Sequence, residues 1–129
     1  MSTFGCPKCF QGDAAAVWNA RNLTHLAQLV DESHFSIHIL ACKNCGQRCV
    51  KTFTEFIDWS GGDDAQYWYL IPLSKDEADT LAWQGENANI KFIEHASTAR
   101  PILQVDYPTG KEKRIFWNKG PVWIVRNQL

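Results

Sequence analysis

Cys42-Lys43-Asn44-Cys45-Gly46, matched upstream by Cys6-Pro7-Lys8-Cys9, is the stretch that decides how this chain closes on itself. Two residues between cysteines let one tight turn present both sulfurs to a single point, and two such turns supply the four ligands of a tetrahedral Zn²⁺. Pro7 fixes φ inside the first turn, and Gly46 is free to take a positive φ just after the second. Four of the 5 cysteines fall into these pairs, with residues 10–41 between them. The predicted site is therefore a structural zinc bound by Cys6, Cys9, Cys42 and Cys45. The competing readings are four reduced thiols without metal and a disulfide framework. The second fits poorly with an odd cysteine count and with the absence of a secretory signal.

Cys49, four positions beyond Cys45, reads as a small apolar side chain in a strand, with replacement ligand or reactive thiol as the functional alternative. His25, His34 and His38 lie between the pairs and are reserve ligands, not needed once four thiolates are present.

The other bounds come from composition. A chain of 129 residues with 45% apolar and 21% charged side chains is expected to form one domain, residues 1–129, with a modest core. No run of 18 or more apolar residues and no basic, apolar leader occurs, so neither a membrane span nor an export signal is expected, and a reducing cytoplasm is the expected compartment. The formal charge of −1 falls to about −3 once four thiolates bind Zn²⁺, four negative charges against two positive ones. That balance argues against a broad nucleic-acid footprint. Six tryptophans, Trp18, Trp59, Trp68, Trp83, Trp117 and Trp123, are spread along the chain, which favours core packing for most of them over a single stacking platform.

Asp13 reads as the N-cap of a helix reaching Glu32, with Val17, Trp18, Leu23, Leu26 and Val30 near a 3.6-residue period. A strand at 35–39 then enters the second knuckle, and a return strand places Lys51, Phe53, Glu55, Ile57 and Trp59 on one face. The expectation is a zinc-knuckle hairpin with an inserted helix. Beyond the loop Ser60-Gly61-Gly62-Asp63-Asp64, residues 66–73 read as a strand. Ser74-Lys75-Asp76-Glu77 is a capping box that opens a helix to about Gln84, ended by Gly85. Residues 90–94 are ambiguous between strand and helix. Residues 101–107 and 113–117 flank a turn at 108–111, and a last strand is expected at 121–126. The fold class is α+β, with a ribbon-like part over about 5–59 joined to a mainly antiparallel, β-rich part over about 65–129.

Cys6-Pro7-Lys8-Cys9 and Cys42-Lys43-Asn44-Cys45-Gly46 resemble the knuckles of zinc-ribbon proteins over roughly residues 5–56. The resemblance implies either a transcription or RNA-processing factor or a protein-binding module. The expected helix at 14–32 departs from a minimal ribbon and occupies the loop through which a ribbon would meet a ligand.

Glu55, Asp58, Asp63 and Asp64 form an acidic stretch beside glycines. It reads as a solvated loop, as a surface for a basic protein partner, or as acid/base or metal chemistry; the alternating acidic order of a calcium loop is absent. There is no GxSxG, HExxH, Walker-type GxxxxGK or dinucleotide GxGxxG, and the H-x-E and P-C-x-x-C elements of a zinc deaminase are missing. His95 is a candidate general base, though four thiolates leave zinc no open position. Lys111, Lys113, Arg114, Lys119 and Arg126 interleave with Phe116, Trp117 and Trp123, the best case for nucleic acid, diluted by Glu112 and Asp106. The favoured expectation is a non-enzymatic zinc protein that binds another protein, one concrete version being a bacterial toxin-neutralising (immunity) protein. A nucleic-acid-binding ribbon and a small hydrolase using the acidic loop are the alternatives.

Overall fold

The computed structural model describes residues 4–56, 64–108 and 111–126. Its frame is an antiparallel sheet of six strands that follow one another in space as they do in sequence. These are β1 (Leu23–Glu32), β2 (Phe35–Cys42), β3 (Arg48–Phe56), β4 (Ala65–Leu73), β5 (Pro101–Tyr107) and β6 (Arg114–Lys119). Helix α1 (Ala14–Ala20) precedes the sheet, while α2 (Lys75–Gln84), a single 3₁₀ turn at Gly85–Asn87 and α3 (Ile90–Ala96) sit between β4 and β5. The mixed α+β class holds, and short connections account for the strand order except between β4 and β5, which the two helices join.

Alternation along the strands gives the sheet two apolar faces. On one, Phe35, Ile37, Ile39, Val50, Ile71, Leu73 and Ile102 meet Ala78 and Leu81 of α2 and Ile93 and Ala96 of α3. On the other, Leu40, Cys42, Cys49, Leu70 and Leu103 meet Cys9, Phe10, Ala14 and Val17 of the N-terminal segment. The capping box forms as its residues dictate: Ser74 Oγ accepts from Glu77 N at 3.1 Å, and Glu77 Oε1 accepts from Ser74 N at 2.8 Å. Gly85 ends α2 with φ 58°. Residues 90–94 resolve as helix, capped by Asn89, whose side chain accepts from Phe92 N.

Three expectations are corrected. The helix expected to reach Glu32 stops at Ala20, where Arg21 turns left-handed (φ 51°, ψ 44°), and residues 23–32 form β1. In β1 the register to β2 slips between His25 and Ala27 and again between Gln28 and Val30, leaving Leu26 and Leu29 as extra residues. Each bulge adds one residue to a period of two. Apolar side chains then recur every three or four positions, as they do in a helix.

Residues 121–126 are not a sheet strand. They cross the helix-covered side, where Val122 N donates to Ser97 Oγ, Ile124 N donates to Glu94 Oε2, and Thr54 Oγ1 donates to the Val125 carbonyl. The chain leaves β6 at Gly120, where any Cβ would overlap the Ser97 carbonyl.

The core is aliphatic, not tryptophan-rich. Among the described residues Trp18, Trp68 and Trp117 are half-buried, and Trp83 and Trp123 are 89% and 72% exposed. An indole is too large for the thin layer between a sheet and two short helices, which Ile, Leu and Val fill. Trp59, Ile57 and the loop 60–63 lie outside the described residues.

Candidate metal centre

The first cysteine pair sits in a turn. Cys9 N donates to the Cys6 carbonyl at 2.9 Å, and Gln11 N donates to the same carbonyl at 3.1 Å. The second lies between the paired strands β2 and β3, closed by Gly46 N donating to the Cys42 carbonyl at 2.9 Å with Gly46 at φ 79°. That left-handed geometry explains the glycine. The two turns are brought together by groups that spacing does not reveal. Gln47 Oε1 accepts from Gly5 N at 2.9 Å, while Gln47 Nε2 donates to the Leu73 carbonyl at 2.7 Å. Trp117 Nε1 donates to the Gly12 carbonyl at 2.8 Å, and its ring lies 6.1 Å from that of Phe10.

As a result the four sulfurs of Cys6, Cys9, Cys42 and Cys45 lie within 4.8 Å of one another. Cys6 Sγ is 3.8 Å from Cys9 Sγ and 3.9 Å from Cys42 Sγ, and Cys9 Sγ is 3.8 Å from Cys45 Sγ. A tetrahedron with Zn–S bonds near 2.3 Å has an edge of about 3.8 Å. A disulfide needs about 2.05 Å, so these contacts are not bridges. The donor set and its spacing fit a single metal ion, and soft thiolates with tetrahedral edges favour zinc.

Amide groups support the sulfurs. Asn44 Nδ2 donates to Cys6 Sγ at 3.3 Å, Asn44 N to Cys42 Sγ at 3.4 Å, and Cys6 N to Cys9 Sγ at 3.2 Å. The Asn44 amide is the main reason the Cys6 thiol is lowered to about 6, so it ionises more readily than Cys9 or Cys45. Burial pushes Cys9 up to about 12 and raises Cys45 as well. Burial thus favours the neutral Cys9 thiol, and binding a metal there would be coupled to proton release. Cys45 is exposed and borders a surface cleft of about 470 Å³ with Phe4, Gln47, Arg48 and Ser74. This is the side on which an ion can enter.

The remaining sequence candidates fall elsewhere. Cys49 is fully buried, donates to the Leu40 carbonyl at 3.7 Å and is outside the four-sulfur group; burial raises its thiol. His25 and His38 pair with each other at 2.9 Å, and His34 pairs with Glu55 at 2.9 Å, so none of the three joins the sulfurs. Glu55 also accepts from Gln66 Nε2 at 2.8 Å, and that bond, ahead of His34, holds its carboxyl below the usual range. Asp58 and Asp63 lie outside the described residues, while Asp64 immediately precedes β4.

His95 is exposed in the last turn of α3. The basic set disperses: Arg126 pairs with Glu32 at 2.6 Å, Arg114 stacks on Phe116, and Lys113 lies over Trp68. Sequence reasoning missed Asn44 and Gln47. Asn44 is visible in hindsight as an amide inside a knuckle, but nothing marks Gln47. No helix among the described residues is long and apolar enough to cross a membrane.

Comparison of the chain with protein-family models, with curated proteins and with solved structures finds no match in any of the three, so the four-sulfur centre stands on its own geometry.

Proposed function

We propose that this chain is a zinc-stapled α+β binding module whose zinc is structural and whose partner is another protein. The observation that carries the reading is the cluster of four sulfurs, all within 4.8 Å of one another and with three edges of 3.8–3.9 Å, a set that would fill every position of a tetrahedral ion and leave none for a substrate or water. The zinc-ribbon reading of the two turns belongs to the same proposal. So does assignment to a non-enzymatic class.

The protein partner is supported by an aromatic groove on the helix-covered side of the sheet. It measures about 190 Å³ and is lined by Thr54, Phe56, Tyr67, Tyr69, Trp123 and Val125. Phe56 is 39%, Trp123 72% and Val125 52% exposed, so apolar surface is grouped in one place. Tryptophan and tyrosine are the side chains that anchor protein interfaces. The immunity-protein version rests on the mild acidity of the chain, pI ≈ 6.4, which suits a basic partner such as a toxin.

Native mass spectrometry of the untagged protein from its own host tests this. A mass one zinc above the apo chain together with a bound protein is the expected result. A zinc-loaded chain with no partner, combined with salt-sensitive RNA or DNA binding, would replace the protein-binding reading with the nucleic-acid one.

A further inference from the structure

The sheet face that carries the N-terminal segment is only partly covered. Beside α1 it opens into a cavity of about 370 Å³, within the usual range for small-ligand sites. Arg21, Lys51, Lys113 and His25 reach its wall, and Trp18 and Trp68 form its aromatic side. No carboxylate lines it among the described residues. This is unusual in a chain with a net charge of −1.

Two arginines elsewhere in the molecule have acidic partners, while the half-buried Arg48 donates to the Gly46 carbonyl at 2.8 Å. Arg100 donates both nitrogens to Glu77 at 2.7 and 2.8 Å, and Arg126 does the same to Glu32 at 3.1 and 2.6 Å. In the cavity the positive charges meet ring faces instead. Lys51 Nζ lies 5.1 Å from the Trp18 ring centroid, and Lys113 Nζ lies 5.8 Å from that of Trp68. The two indoles are themselves 5.8 Å apart, so the two ammonium groups are held over one continuous aromatic wall. Lys51 is half-buried, and burial, followed by the Arg21 charge, holds its ammonium below the usual range. Gathering cations around a half-buried lysine without an acid costs folding energy, and an anion placed among them recovers it.

We infer that this cavity binds a phosphate ester, with the phosphate held by Lys51, Lys113 and Arg21 and the organic part laid against Trp18, Leu40 and Leu70. Lysine supplies point charge and arginine a two-pronged donor, the pairing that phosphate recognition uses. The tryptophans and leucines give an apolar wall that inorganic phosphate has no use for, and on which a nucleobase can stack. The site faces away from the aromatic groove, because Trp68 and Leu70 alternate with Tyr67 and Tyr69 along β4. It is thus independent of the protein-binding reading. A free nucleotide and a nucleic-acid strand share this chemistry.

Titration calorimetry on the zinc-loaded full chain, with tryptophan emission followed in parallel, separates the cases when AMP, inorganic phosphate and a ten-nucleotide oligothymidylate are compared. AMP is expected to bind at one site and quench emission, with inorganic phosphate binding far more weakly. Lys51→Gln and Lys113→Gln should each weaken AMP binding by about tenfold or more, as expected for a lost charge-assisted contact. Lys75→Gln, an exposed position at the start of α2, should change nothing. Lys113 is exposed, so its variant reads the site even if Lys51→Gln fails to fold.

An oligonucleotide that binds more tightly than AMP, and loses that affinity in the Lys113 variant, keeps the chemistry and assigns it to a strand. Absence of binding by both esters, unchanged affinity in Lys113→Gln, or inorganic phosphate binding as well as AMP would overturn the assignment.

Discussion

On the side covered by α2 and α3, Ile37, Ile71, Leu81, Ile93 and Ile102 are all at 0% exposure, a dry layer in which each side chain touches the next. On the other side the N-terminal segment brings a seven-residue helix and a turn, adding Cys9, Phe10, Ala14 and Val17 to the cover. The first layer is stabilised by burial, about 1.5–3 kcal/mol for each large aliphatic side chain. The second is a smaller cluster, and a seven-residue helix is unstable in isolation, so α1 depends on what it is tied to. The four-sulfur centre joins residues 6–9 to the β2–β3 connection, and under the proposed zinc staple coordination would do there what area does on the opposite face. The comparison predicts that the faces fail separately when attacked by different means.

The largest effect belongs to the metal. Cys6→Ser or Cys45→Ser should abolish stoichiometric zinc and cost several kcal/mol, with hydrogen exchange rising first in residues 5–20 while β4, α2 and α3 stay protected. Cys49→Ser should retain one zinc per chain by mass spectrometry. Uniform loss of protection across both faces would merge the two regions into one cooperative unit.

Leu81→Ala is the matching attack on the helix-covered face. It should destabilise by about 2–5 kcal/mol in denaturant unfolding and leave zinc content unchanged, because Leu81 is fully buried between α2 and the sheet.

The Arg100–Glu77 pair gives a smaller, pH-dependent effect. The Arg100 guanidinium, hydrogen-bonded to both Glu77 oxygens, holds that carboxyl below its usual range. A carboxyl whose folded pKa is depressed stabilises the fold above its unfolded pKa, near 4.3, and loses that contribution as pH falls through the folded value. Arg100→Ala should cost about 1–2 kcal/mol at neutral pH after solvent screening, and the gap between variant and parent should close in acid.

The smallest effect concerns His38, whose imidazole is lowered first by burial, then by His25 and Lys51, with Asp31 opposing. Its neutral form is favoured in the fold, so stability falls as pH drops from about 6.5 through the folded value. NMR titration of the imidazole should show the low midpoint, and His25→Gln should raise it.

The sequence spoke clearly where structure depends on a few adjacent residues. The cysteine spacing, the capping box at Ser74 and the cap at Asp13 are local geometry, and each recurs in the fold. β1 was illegible because Leu26 and Leu29 are bulge residues, and bulges depend on pairing with β2 rather than on β1 itself. The tryptophans misled for a related reason: composition counts apolar area but does not say that the layers are too thin for indoles. The acidic stretch separated into Glu55, bound to His34 and Gln66, and Asp64 before β4, with Asp58 and Asp63 outside the described residues. Of the interleaved C-terminal cations only Lys113 reaches the positive cavity. Arg21 and Lys51, distant in sequence, reach the same place only through the fold.

The bulged ladder of β1 also bears on how copies of this chain meet one another. An open sheet has two unpaired edges, and a flat, regular edge invites a second molecule to add its own strand and begin a fibre. Here one edge is β1, whose two register slips and terminal Asp31 and Glu32 interrupt any even row of donors and acceptors. The other is the six-residue β6, which begins at Arg114 and ends at Lys119. The irregularity that hides β1 from a reader of the sequence also discourages end-to-end polymerisation.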